Sequence, residues 1–294
     1  MKNKDLSLIH EFVSNFFPKL SPQEAWEKYS LSDEQLDFFQ VQGYISGVKM
    51  LESDQVDKLN AELAEIADPK HPLNHLFYEF HSNQSTDPNA VLFHSLGHWR
   101  MTPGFHDILW NPAFTIPASQ LLGDRAIRLW HDQLFCKPAR HGGVVAWHQD
   151  YSYWIRTIKM QHLTCWTGLD DATTENGCLH YVPKSHKWEL LKKPELAGDM
   201  EALMDMLSEE QKEQFKPIPI EMKKGYGSFH HPLLIHGSHE NKSEYSRRAF
   251  VINVFADGTL SDTDDKLLAN VPIIPKGEKI EGQFFPILFD PTKN

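Results

Sequence analysis

Cysteine is scarce in this sequence. Its three cysteines, Cys136, Cys165 and Cys178, form no CxxC and cannot all pair with one another, which fits a reduced, cytoplasmic setting. Long apolar runs are missing as well: none reaches the roughly 18 residues of a membrane span, and the N-terminus lacks the apolar stretch of a secretory leader. Basic charge is in deficit. Twenty-nine Lys and Arg stand against 40 Asp and Glu, a net charge of −11, which argues against nucleic acid or an anionic membrane as the main partner. There is no internal repeat and no low-complexity segment. What is present is 40 % hydrophobic and 12 % aromatic content over 294 residues, enough for a substantial core in one large domain or two small ones.

The pattern divides the chain in two. The first part reads as helical. Leu6–Phe17 is an amphipathic piece closed by Pro18, and Ser21-Pro22-Gln23-Glu24 has the form of a helix start. A second helix is expected from Ser32 to about Gln42, stopped by Gly43. A third starts near Ser53, carries Val56, Leu59, Leu63 and Ile66 at helical spacing, and ends at Pro69. Residues 70–100 lack periodicity and read as a loop-rich region of the kind that lines sites; a further helix is expected over Pro112–Leu122. From Ala126 onward the pattern turns β-like: Ile127–Cys136, Val144–Tyr153, Leu163–Leu169, Cys178–Val182, Gly227–Ile235 and Arg248–Phe255 are short apolar or aromatic runs. A late pair of strands is expected at Pro272–Ile274 and Gln283–Phe289, and the insert Glu189–Lys216 is acidic and helical in pattern. Many short strands after a helical start predict a mainly β fold with flanking helices, a cupin-like jelly roll with helices on one outer sheet. The expected organisation is an N-terminal helical extension over residues 1–30 followed by one domain over 31–294.

One stretch carries chemistry. Trp147-His148-Gln149-Asp150 puts an imidazole and a carboxylate two residues apart, which in a strand places both on one face. A third ligand, His236, ends the apolar run Pro232–Ile235, and strands distant in sequence become neighbours in a double-stranded β-helix. Two His and one carboxylate hold Fe(II) and leave positions open for O₂ chemistry. An open iron site needs an electron donor, and 2-oxoglutarate supplies it by chelating the metal and losing CO₂. Its far carboxylate calls for a guanidinium that stays charged when buried. Arg247, eleven residues past His236, fits, with the Ser238 hydroxyl beside it; Arg248 reads as a surface charge. His230 and His231 are expected as packing or supporting residues, His230 lying too far along the same strand to reach the ion. Trp147 is expected between the sheets. His94, His98 and His106 fall in the loop-rich region. One of them can meet substrate, but an ordinary hydrogen-bonded role is the expectation for each.

These residues, with Phe229-His230-His231-Pro232, Asn241-Lys242-Ser243, Cys165-Trp166-Thr167-Gly168-Leu169, Asn176-Gly177-Cys178-Leu179 and Val182-Pro183-Lys184-Ser185-His186-Lys187, closely resemble the phytanoyl-CoA dioxygenase family. The likeness keeps motif order over roughly residues 31–260. It implies the double-stranded β-helix fold and an Fe(II)- and 2-oxoglutarate-dependent oxygenase, with His148, Asp150 and His236 on iron and Ser238 and Arg247 on 2-oxoglutarate. It further implies Gln133 and Trp166 in the 2-oxoglutarate pocket. Lys137 corresponds to a cosubstrate-contacting lysine of the similar ectoine hydroxylases, and His131 and Trp154 to their substrate contacts; Val251 should face the same cavity. Members acting on acyl-CoA carry a lysine before Ile-Gly-His where this chain reads Ser95-Leu96-Gly97-His98, and the acidic surface suits CoA poorly. Related halogenases replace the carboxylate by Gly or Ala, so Asp150 implies hydroxylation. The expected substrate is a small polar metabolite or natural-product intermediate. The alternative is a cupin-like metal-binding protein or a non-oxidative lyase or isomerase, which has no need of Arg247.

Overall fold

The computed structural model describes residues 4–68, 70–85 and 87–293. Three helices open it: α1 (Pro22–Tyr29), α2 (Asp33–Gln42) and α3 (Ser53–Ile66). Each start is set by its sequence. Ser21 and Ser32 cap α1 and α2, with Glu24 and Gln35 returning the bond to the cap backbone, the reciprocal arrangement of a capping box. Gly43 ends α2 in the left-handed conformation at φ +84°. Val56, Leu59, Leu63 and Ile66 of α3 are all buried as their spacing requires; Pro69, expected to end this helix, lies outside the described residues. The piece Leu6–Phe17 is not a helix. It holds one 3₁₀ turn, Leu6–Leu8, because its backbone is taken up elsewhere: Asp107 accepts the Val13 and Ser14 amides at 2.8 and 2.9 Å.

The strands are β1 (Tyr44–Lys49), β2 (Glu79–His81), β3 (Phe93–Leu96), β4 (Ile127–Lys137), β5 (Val145–His148), β6 (Thr157–Ile158), β7 (His162–Gly168), β8 (Leu179–Tyr181), β9 (Ile218–Ile220), β10 (Tyr226–His230), β11 (His236–Ser238), β12 (Arg247–Ala256), β13 (Leu260–Ser261) and β14 (Ile287–Phe289). Among the described residues the large sheet runs β1-β10-β7-β12-β4-β3-β2, with β14 also on β4, and a smaller sheet runs β5-β11-β8-β9. All pairings are antiparallel. This is the jelly roll that the strand pattern predicts. The outer face of the large sheet packs Leu134, Phe229, Phe250 and Ile252 against Val56 and Leu59 of α3, Phe105 of α4 (Pro103–Asp107) and Phe114 of α5 (Pro112–Leu121).

Several expectations need correction. Residues 70–100 contain two strands of the large sheet; they are short, and the charged or polar Glu79, His81, His94 and Ser95 hide the apolar pattern. The run Val144–Tyr153 is a strand only to His148, and Asp150 opens a 3₁₀ turn, Asp150–Tyr153. Gly227–Ile235 is likewise not one strand: β10 ends at His230, and a turn that includes Pro232 carries the chain to the opposite sheet. Pro272–Ile274 is irregular, and only Ile287–Phe289 of the last run is strand. The insert forms a 3₁₀ turn, Met204–Met206, and α6 (Glu209–Gln214), but is otherwise irregular. Trp147 does not lie between the sheets. It packs on the outer face of the small sheet with Val182, Ile235 and the insert residues Leu203 and Leu207.

Candidate metal centre and cavity

The alternation of side chains along β4, β7, β10 and β12 brings defined rows to the inner face of the large sheet. One row pairs Glu79, Leu96, Gln133, Val251 and Trp166. The next pairs His131, Asn253, Thr164 and His230. On the facing sheet His236 pairs with His148. Between the two sheets lies a cavity of about 560 Å³.

His148 Nε2 and His236 Nε2 lie 3.5 and 3.6 Å from Asp150 Oδ1, and the three donors fall within 4.8 Å of one another. Each imidazole is fixed from behind: Nδ1 of His148 meets the Ala146 carbonyl at 2.8 Å and Nδ1 of His236 the Leu234 carbonyl at 2.9 Å. Nδ1 therefore carries the proton and Nε2 offers its lone pair. Burial holds the His236 imidazole far below its usual range, so it is neutral. The two oxygens of Asp150 are divided. Oδ2 accepts from Thr164 Oγ1 at 2.6 Å and from His230 Nε2 at 2.9 Å, leaving Oδ1 for the imidazoles. Burial opposes its charge, but the hydrogen bond from His230 favours it, and the carboxyl is held well below the ordinary range. His230 is in turn set by Tyr181, whose hydroxyl lies 2.9 Å from its Nδ1 and 2.7 Å from Ser228 Oγ. The turn after His230 folds the chain back, so the His230 and His236 rings are 4.3 Å apart rather than a strand length away. His230 supports the cluster as expected, but through direct contact with Asp150.

Arg247 of β12 and Ser238 of β11 line the same cavity. Arg247 is fully buried; Nη2 donates to the Gly177 carbonyl at 2.8 Å, and its Nε, like Ser238 Oγ, has no partner within the protein. Burial lowers its guanidinium to about 10, so it is charged at neutral pH. A buried cation with a spare donor beside a spare hydroxyl fits a carboxylate. Gln133, Trp166, His131, Trp154 and Val251 also line the cavity. Lys137 does not. It is buried beside Arg247, its register partner on β4, and its ammonium donates to the carbonyls of Ser238, at 3.1 Å, and His239. Arg248 is no simple surface charge: Nε and Nη2 grip the Asp170 carboxylate at 2.8 and 2.6 Å. Sequence reasoning missed Thr164 as a cavity residue and expected an ordinary hydrogen-bonded role for His94, which lines the cavity; Thr164 sits at a register position that the β7 pattern turns inward. It also missed Arg156, Lys193 and Lys266, cations in the cavity wall of an acidic protein.

The phytanoyl-CoA dioxygenase (PhyH) family model matches residues 39–249. The chain belongs to this family. Membership places it among the iron- and 2-oxoglutarate-dependent oxygenases that its motifs imply, and the donor set above fits that requirement. A phytanoyl-CoA dioxygenase of Arabidopsis thaliana is 29 % identical over 255 residues, covering 76 % of this chain and 89 % of that one. Two solved structures share the fold. The α-ketoglutarate-dependent carbocyclase SnoK from nogalamycin biosynthesis matches at TM-score 0.71 and 20 % identity over 88 % of this chain and 97 % of its own. EctD from S. alaskensis, solved with 2-oxoglutarate and 5-hydroxyectoine, matches at TM-score 0.66 and 18 % identity over 97 % and 93 %. Among the described residues no helix is long and apolar enough to cross a membrane.

Proposed function

We propose that the protein hydroxylates an aliphatic C–H bond of a small polar metabolite or natural-product intermediate, with release of succinate and CO₂. The observation that carries this reading is the convergence of His148, Asp150 and His236 in one cavity with Arg247 and Ser238. The first three would hold iron through two neutral imidazoles and one carboxylate oxygen, and the last two would hold the far carboxylate of 2-oxoglutarate. Bound there, iron and 2-oxoglutarate supply the activation of O₂.

The protein's own part is placement. Thr164 and His230 keep Asp150 Oδ2 occupied, so the carboxylate presents Oδ1 and cannot rotate freely. Tyr181 keeps Nε2–H of His230 toward that carboxylate. Trp166 lies under the Arg247 guanidinium at 5.6 Å and limits where the cosubstrate can sit. His131 and Trp154, with rings 5.6 Å apart and near perpendicular, form the wall at which we place the substrate. Wall residues that include His131, Gln133 and Arg156 support a polar substrate, and the retained Asp150 supports hydroxylation.

Anaerobic addition of Fe(II) and 2-oxoglutarate tests the site. A weak visible charge-transfer band is expected in the wild type and not in His148→Ala; no band in the wild type overturns the reading. A metabolite panel scored by stimulated 2-oxoglutarate turnover then tests the substrate class. A non-oxidative cupin-like metal protein predicts instead that Arg247→Ala keeps full activity.

A further inference from the structure

One residue of the cavity wall has no task in this scheme. His94 lies in β3, paired with His81 on β2 and with Phe135 on β4. The three rings stack in a row across the sheet. His94 is 4.4 Å from Phe135 at an interplanar angle of 13° and 6.1 Å from His81 at 8°. Neighbours on both sides thus occupy both faces of the imidazole, and only its edge, which bears the nitrogens, remains. The residue is 4 % exposed and lines the cavity, yet neither Nδ1 nor Nε2 has a hydrogen-bond partner. His98 and His106 differ: His98 Nε2 meets Ser95 Oγ at 3.2 Å, with only its Nδ1 unpartnered, and His106 meets Asp107 and the Ile9 carbonyl.

Burial, with the neighbouring His81, His131 and His98 rings, holds His94 down to about 3, so the edge offers one N–H and one lone pair. On the same cavity wall, Gln84, whose backbone N–H donates to the Leu92 carbonyl at 2.8 Å, has its side-chain Oε1 unpartnered. Of the charged groups on the wall, Arg247, Arg156, Lys193 and Lys266 lie off β2 and β3, and the nearby Glu79 carboxylate is turned to His81, 3.6 Å from its Nε2. β4 separates β3 from β12, so His94 addresses the space beyond Arg247. Buried polar groups left without partners are rare in folded proteins.

We propose that His94 is a specificity-determining substrate contact, and that the substrate presents to it a neutral hydrogen-bonding group, a hydroxyl or an amide, rather than an ion. This rests on the reading of the cavity given above.

The test uses protein with ¹⁵N-labelled histidine, loaded with 2-oxoglutarate and Zn(II) in place of iron. It is titrated with four probes of similar size: butan-2-ol, N-methylpropanamide, butanoate and butylamine. The alcohol and the amide are expected to shift the His94 ring-nitrogen resonances, and the two ions to leave them in place. His94→Phe, which keeps the stacked row, is expected to retain 2-oxoglutarate affinity and the Fe(II) charge-transfer band. For any metabolite that stimulates wild-type turnover, it should raise KM about tenfold with kcat little changed; His94→Gln should recover part of the loss. Shifts caused by the ions, shifts from no probe, or a His94→Phe defect confined to 2-oxoglutarate binding would overturn the proposal. A wild type without the charge-transfer band overturns the cavity reading itself.

Discussion

His230 donates Nε2–H to Asp150 Oδ2 at 2.9 Å across 80 positions of sequence, and that bond decides which carboxylate oxygen faces His148 and His236. Supporting contacts of this kind typically change metal affinity roughly 10–100-fold when removed. His230→Phe is therefore expected to weaken Fe(II) or Zn(II) binding by that factor while the fold persists. Competition titration against a chelator measures it, and an unchanged affinity would show that Thr164 alone holds the carboxylate.

Arg247→Lys keeps the charge but loses the planar fork and its spare Nε donor. The 2-oxoglutarate Kd should rise by about tenfold or more, corresponding to about 1.5–3 kcal/mol for hydrogen bonds to a charged group. Following the charge-transfer band against 2-oxoglutarate concentration gives the number; wild-type affinity in the variant would remove Arg247 from the pocket.

Gly177 adopts φ +79°, its carbonyl accepts from Arg247, and a Cβ there would press on the His239 carbonyl oxygen. Gly177→Ala should cost about 1–3 kcal/mol of stability through backbone strain and weaken 2-oxoglutarate binding by displacing the guanidinium's partner. Thermal unfolding and the same titration report the two effects separately.

Stability should depend on acid pH. His98 and His162 are fully enclosed, and burial pushes each imidazole down to about 3 from 6.5. The unfolded chain thus binds more protons between those values, and stability is lost as pH falls below about 6.5. Each contributes about 2 kcal/mol of loss between pH 6.5 and 5. Asp132 works the other way: burial lifts its carboxyl from 3.8 to about 6, against hydrogen bonds from the Trp99 and Gly97 amides, so acid relieves a cost in that window. The two histidines outweigh it. Denaturant midpoints should be lower at pH 5 than at pH 7, and His162→Phe should shrink the difference. An equal difference in the variant would show that His162 is not a source of it.

The sequence by itself determined the class of fold and the chemistry of the centre. Capping serines, a left-handed Gly43 and helical spacing in α3 are local signals, so α1, α2 and α3 were legible. The long strands β4, β7 and β12 were legible because their runs are long and apolar. The motif order carried the family, and with it His148, Asp150, His236, Arg247 and Ser238. Tertiary structure decided what depends on pairing. The expected strand geometry of His148 and Asp150 reached the right convergence by the wrong route, since Asp150 lies in a 3₁₀ turn and is aimed by Thr164 and His230. His230 looked remote because a turn breaks the run that reads as one strand. β2 and β3 are too short and polar to signal themselves. Only their addition to the edge of the large sheet sandwiches His94 between His81 and Phe135 and brings it to the cavity wall, because cross-strand register, not sequence spacing, sets which rings stack.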